Sequence, residues 1–253
     1  MSTTKTDAVL KIDTAGVYYR DLNRVLREAV AGGTRRIELQ NVCGQRYIGT
    51  DLEGQVVIDV YGTPGNDLGA FMDGPEITVH GNTQDCCGNT MNEGSIVVHG
   101  HSGDIIGMSA RGGRIFVRDS VSYRAGIHMK EYGDKKPALV IGGTAQDFLG
   151  EYMAGGVLVV LGLEGGAPVA HTAKFIGTGM HGGVIYLRGR VEEYQLGKEV
   201  GVAPLETADA AVLEKYVREY AGYFGQDAGQ ILKHDFCKLF PRDTRPYGRL
   251  YAY

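Results

Sequence analysis

From residue 48 to residue 189 the chain sets short apolar runs between glycines, on a step that changes little. Gly49, Gly69, Gly88, Gly107, Gly126, Gly150 and Gly177 are separated by 20, 19, 19, 19, 24 and 27 residues. The residue before each is apolar (Ile48, Leu68, Cys87, Ile106, Ala125, Leu149, Ile176), and so is the third residue after it (Leu52, Met72, Met91, Ala110, Met129, Met153, Met180). A second glycine follows in most units, as in "GNTMNEGSIVVHG" (residues 88–100), and then comes a run with a period of two: Ile58/Val60, Ile77/Val79, Ile96/Val98, Ile115/Val117, Ala138/Val140, Leu158/Val160 and Ile185/Leu187. Period two is the signature of a strand with one face inward. A near-constant step across units means one coil per unit, each burying what it cannot bury alone. The pattern therefore predicts a mainly β fold, a single-stranded parallel β-helix of about seven coils, with glycines at the sharp corners. "KEYGDKK" and the insertion at residues 163–170, "LEGGAPVA", account for the two longer steps.

Two other readings of the glycines fail. A phosphate-cradling loop needs a strand before it and a helix after it, and no helical pattern follows "GNTMNEG". The left-handed hexapeptide helix needs an aliphatic residue at each inward corner, whereas the residues before the second glycine include Glu53, Asp73 and Glu93. Buried there without partners, each carboxylate would cost several kcal/mol.

The flanks change character. Before the repeat, "VYYRDLNRVLREAVAGG" puts Leu22, Val25, Leu26, Ala29 and Val30 at helical spacing, and "RRIELQNV" reads as a lead-in strand. After it, "TADAAVLEKYVREYAGYF" places Val212, Leu213, Tyr216, Val217 and Tyr220 on one helical face. "DAGQILKHDFCKLF" reads as a shorter helix capped by Asp227 and stopped by Pro241. The predicted organisation is an N-terminal helix and lead-in strand over 1–42, the β-helix over 43–190, and a C-terminal helical cap and tail over 191–253. Helices at both ends would cover the open edges of the solenoid.

On the outer strand face, Val97, Phe116, Leu139, Ile141, Val159, Leu161 and Tyr186 make the later coils apolar on both sides. Either the chain's own terminal helices or another protein must cover that face. Phe116, Ile141, Leu161 and Tyr186 are the candidate partner-facing residues.

Composition narrows the chemistry. The 39 glycines among 253 residues, about twice the usual share, are used by the corners. A net charge of −4 supplies no field for nucleic acid, and no apolar run reaches the roughly 20 residues of a membrane span. Cys43, Cys86, Cys87 and Cys237 lack metal-site spacing, which fits reduced thiols in a cytoplasmic protein. His80 and His99 occupy the same position one coil apart and should stack, but Arg118 stands where a third zinc ligand would be needed. His171 and His181 come with no partner pattern and read as structural or interfacial. "GMSARGG" lacks the spacing of a serine-nucleophile elbow. No catalytic, cofactor-binding or metal-ligating residue is expected in this chain. The calcium cluster and groove base of a solenoid polysaccharide lyase have only Asp104, Asp119 and Arg118 as scattered candidates.

"GGTAQDFLGEYMAGGVLVVLG" with "GNTMNEGSIVVHG" resembles the GXGXG domain at the C-terminus of the glutamate synthase large subunit. "LNRVLREAVAGGTRRIELQNVCGQRYIG" and the "RPYGRLYAY" tail resemble forms of that domain that stand as a separate protein, so the likeness covers nearly the whole chain. The C subunit of formylmethanofuran dehydrogenase holds a similar module. The resemblance implies a right-handed β-helix without chemistry of its own. It also implies a partner subunit with FMN and an iron–sulfur cluster, and a glutamine amidotransferase partner with an N-terminal cysteine nucleophile. The corresponding scaffold of N-methylglutamate synthase or formylmethanofuran dehydrogenase is the alternative, and a homo-oligomer is compatible with either.

Overall fold

The computed structural model describes residues 9–164 and 166–243. It is mostly β: a parallel β-solenoid of about six turns with three helices. The seven glycine corners bound those six turns.

One sheet of eleven strands runs the length of the molecule. β1 (Leu10–Asp13) pairs parallel with β2 (Arg36–Cys43). Parallel pairing then continues through β3 (Val57–Thr63), β4 (Asp73–His80), β5 (Glu93–Val98), β6 (Arg114–Val117), β7 (Ala138–Ile141) and β8 (Ala154–Val160). The insertion forms a small hairpin of β9 (Leu163–Glu164) and β10 (Ala167–Pro168), and β11 (Gly182–Arg188) resumes the parallel ladder on β8. Arg188 pins the hairpin by donating to the carbonyls of Leu161, Gly162 and Val169. β12 (Val200–Pro204) and β13 (Phe236–Pro241) then add antiparallel, in the order β11-β13-β12.

The corners follow a three-residue rule. Each of the seven glycines has φ between 65° and 75°. The residues two before and two after are also left-handed, even when bulky: Phe148 (66°), Phe175 (58°), His128 (56°) and Tyr152 (51°). Such conformations cost of order 1 kcal/mol or more each. The ladder offsets the cost, because alternating handedness turns successive amides toward opposite neighbours. Gly107 N–H donates back to Cys87 O at 2.8 Å, and Gly126 N–H back to Ile106 O at 2.8 Å. The flanking Ile105 and Ser109 amides donate forward to Tyr123 O and Ile127 O at 2.8 and 2.9 Å. The middle residue is glycine at every corner, and at all but Gly107 a Cβ there would crowd the filled interior. At Gly49 and Gly150 an added Cβ would sit 2.7 Å from Ile77 Cδ1 and Ile185 Cδ1.

The interior is a continuous apolar column. Met72, Met91, Met129 and Met153 line up with no more than 1% of their surface exposed, beside Ile48, Leu68, Cys87, Ile106 and Leu149. The strand positions read as inward lie there too, with one exception. In β7 the register is Ile115↔Leu139 and Val117↔Ile141, so Leu139 and Ile141 point inward while Ala138 and Val140 face out. Ile141 is therefore a core residue and not partner-facing. The strand "ALVI" is apolar throughout, and alternation cannot fix a register where both faces are buried.

The caps also differ from expectation. α1 (Tyr19–Ala31) closes the N-terminal end by inserting Leu22 and Leu26 into the column, with Val25 exposed. α2 (Thr207–Phe224) does not close the other end. It lies along the outer face of the sheet and ends at the left-handed Gly225. The C-terminal end is closed by β12 and β13, whose Val200 and Leu239 join the column. The second C-terminal helix is short: α3 (Ala228–Ile231), with Asp227 accepting from the Gln230 amide at 3.2 Å, gives way to β13 in place of continuing to Pro241. The aromatic tail from residue 244 lies outside the described residues.

Candidate functional site

The outer sheet face is covered by the chain itself. Phe116, Leu161 and Tyr186 are at most 2% exposed and pack with Val97, Val140 and Val159 beneath Leu213, Tyr216, Val217 and Tyr220 of α2. Those three candidates are thus core residues of a second cluster, not a surface for partners. One polar network anchors the helix over them. Tyr186 Oη donates to Asp209 Oδ1 at 2.7 Å, while Lys238 Nζ and the Glu206 amide donate to Asp209 Oδ2 at 2.9 and 3.0 Å. Burial pulls the Asp209 carboxyl upward, but the three donors outweigh it and hold it below the usual carboxylate range.

The stacked histidines are where the repeat puts them. His80 lies 4.3 Å from the Tyr61 ring and 5.6 Å from His99, nearly parallel to both, and Phe224 closes the stack edge-on to His99 at 5.1 Å. Asp59 holds His80 Nε2 at 2.9 Å. Burial first, then the neighbouring His80 and Arg118, press the His99 pKa below its ordinary value, so its ring is neutral at pH 7. The stack ties α2 to the outer strand face. Among the described residues no group of three His, Cys, Asp or Glu is placed to hold a metal ion. Burial raises the Cys87 thiol to about 12, and burial with Asp67, Asp85 and Asp104 raises Cys86 to about 11. Neither presents a thiolate near neutral pH.

One outward group of side chains lies at the corners of the later coils. Arg124 sits 4.5 Å over the Phe148 ring and pairs with Glu151, and Phe148 stacks on Phe175 at 4.9 Å. Across the same corner His128 stacks on Tyr152 at 5.4 Å. Phe175, Tyr123 and Tyr132 are 48%, 48% and 67% exposed.

Two concave regions of the surface bear on function. A groove of about 720 Å³ includes Asp73, Glu93, Arg114 and Lys135, charges of both signs: Lys135 lies 3.5 Å from both Asp73 and Glu93, and Arg114 lies 3.0 Å from Glu219 of α2. The second, about 500 Å³, is lined by Ser109, Arg111, His128, Lys130, Tyr132, Tyr152, Ala154 and His181, with no carboxylate among the described residues of the lining. His181, structural or interfacial by sequence alone, thus lines a cleft. The shared corner spacing of His128, Tyr152, Arg111 and Lys130 is the signal that groups them.

A solenoid with a glycine at each corner and an apolar column inside defines a class of parallel β-helix modules. The chain belongs to the GXGXG motif family, whose domain ends the large subunit of glutamate synthase, and it matches that family over residues 28–242. It is also 45% identical over 249 residues to the uncharacterized protein MJ1350 of Methanocaldococcus jannaschii, covering 95% of each chain. That near-complete mutual coverage makes the two chains counterparts in length as well as sequence. No helix among the described residues is long and apolar enough to cross a membrane.

Proposed function

We propose that this protein is the structural subunit of a glutamate-synthase-type complex, which makes glutamate by glutamine-dependent reductive amination of 2-oxoglutarate. In this reading it docks an FMN-binding subunit, which also holds an iron–sulfur cluster, and a glutamine amidotransferase subunit. It fixes the distance over which ammonia passes between them. The family match carries the reading. The packing supports it: Ile, Leu, Val and Met fill the solenoid interior, so the module offers other molecules its surface. Stacked coils held by backbone ladders on every turn give the stiffness a spacer needs.

Purification of the tagged chain from native extract under low salt tests this. The expected result is a stoichiometric assembly with the absorbance of bound flavin and glutamine-dependent glutamate formation. A chain recovered alone and colourless contradicts it. An assembly with a different catalytic partner set redirects the same scaffold role to another complex.

A further inference from the structure

We propose that the cationic cleft on the later corners is the docking site for an acidic segment of a partner subunit. This rests on the scaffold reading above. The cleft is built by two columns of the repeat. Two residues after the corner glycine stand Ser109, His128 and Tyr152; four residues after it stand Arg111, Lys130, Ala154 and His181. The second column is held rigidly, since the amide of each member donates to the preceding coil: Arg111 to Met91, Lys130 to Ala110, Ala154 to Met129 and His181 to Met153, at 2.7–3.0 Å. Adjacent members therefore stand about 4.8 Å apart, the spacing of neighbouring strands. Ala154 is the small residue in a column of long ones, and its short side chain opens the space.

Charge selects the occupant. The same column carries Glu53 and Asp73 in the first coils and Arg111 and Lys130 in the later ones, on a chain whose net charge is −4. It is thus polarised along the solenoid, and its later part favours carboxylates. The surroundings favour a protein over a small anion. One face of Tyr152 is taken by His128, and a Cβ added at Gly179 would lie 2.5 Å from the Cδ1–Cε1 edge of its ring. Exposed Tyr132 lines the cleft, and the Arg124–Phe148–Phe175 stack stands two residues before the same series of corner glycines. Arginine and aromatic side chains gathered around a desolvating hollow are the composition of protein–protein hot spots.

The test uses the native assembly. Arg111→Lys keeps the charge and supplies an amine. Carbodiimide treatment of the purified complex should then join residue 111 or Lys130 to an Asp or Glu of a co-purifying subunit, identified by mass spectrometry. The double substitution Arg111→Glu/Lys130→Glu should lower recovery of that subunit at least about tenfold, with the melting temperature of the isolated chain unchanged. Equal recovery with the double variant overturns the docking site and leaves the scaffold reading standing. An intact complex with no cross-link from either position also overturns it, whether or not the double variant folds. A wild-type chain that brings down no partner overturns both.

Discussion

Asp209→Ala lowers stability by about 3 kcal/mol and frees α2 from the sheet. The substitution leaves the buried Tyr186 hydroxyl without its acceptor and Lys238 without its counter-charge, and it removes the acceptor for the Glu206 amide at the start of α2. Removing one member of such a buried set costs roughly 3–5 kcal/mol in drier sites, and the partial exposure of Lys238 places this case at the low end. For a chain of this size that is a fall of roughly 6–12 °C in Tm. Hydrogen exchange reports the location, with the α2 amides accelerating ahead of those in β4 and β5. Asp209→Asn, which retains an acceptor for Tyr186, should lose about half as much.

The same carboxylate sets a pH dependence. Its folded pKa lies below its ordinary value of 3.8, so its contribution is complete above that value and disappears as pH falls through the folded one. The wild type should thus show an acid-induced loss of α2 protection below about pH 4 that Asp209→Ala lacks. Equal acid sensitivity in the two proteins would mean that another group controls it.

The second large effect separates backbone strain from crowding. Gly107 and Gly126 have φ of 70° and 72°, so alanine at either incurs the same left-handed penalty, about 1–2 kcal/mol. Space differs. A Cβ at Gly107 meets nothing closer than Leu139 Cδ2 at 3.6 Å, whereas at Gly126 it would lie 2.5 Å from Leu158 Cδ1 and 3.1 Å from Met129 Sδ. Gly126→Ala should therefore cost a further ~1–3 kcal/mol, the range for overpacking a filled interior. Denaturant titration of the two variants gives the difference directly. If they are equally destabilised, the inward-facing corner is wrong and only the φ argument survives.

The repeat is legible in the sequence because each coil restates its pattern, so Met72, Met91 and Met129 reinforce one another where a single coil would be ambiguous. Legibility ends where the physics becomes two-sided. β7 has α2 outside and the column inside, its four residues are all apolar, and the insertion before it removes the count that fixes register in the other coils. The short α3 and the following β13 look like one helix, because Ile231, Leu232 and Phe236 fit a helical face locally. The pairing of Leu239 with Ile185, a non-local contact, decides otherwise. β1 and β12 stand outside the repeat, so no other coil restates them: the alternation of Leu10 and Ile12 spans only four residues, and each strand is fixed by its neighbour in the sheet. The cationic cleft escapes sequence reasoning for a different reason. Its residues are individually ordinary, and only the columns at two and four positions past the corner glycine bring them together.

In the proposed role the chain couples two active sites that belong to other subunits. The most direct test is an assay of the assembly reconstituted with and without it, supplied with either glutamine or free ammonia as nitrogen donor. Omitting the chain should abolish glutamine-dependent glutamate formation, while glutamine hydrolysis and ammonia-dependent glutamate formation persist separately. Glutamine-dependent synthesis at an undiminished rate without the chain would contradict the coupling role.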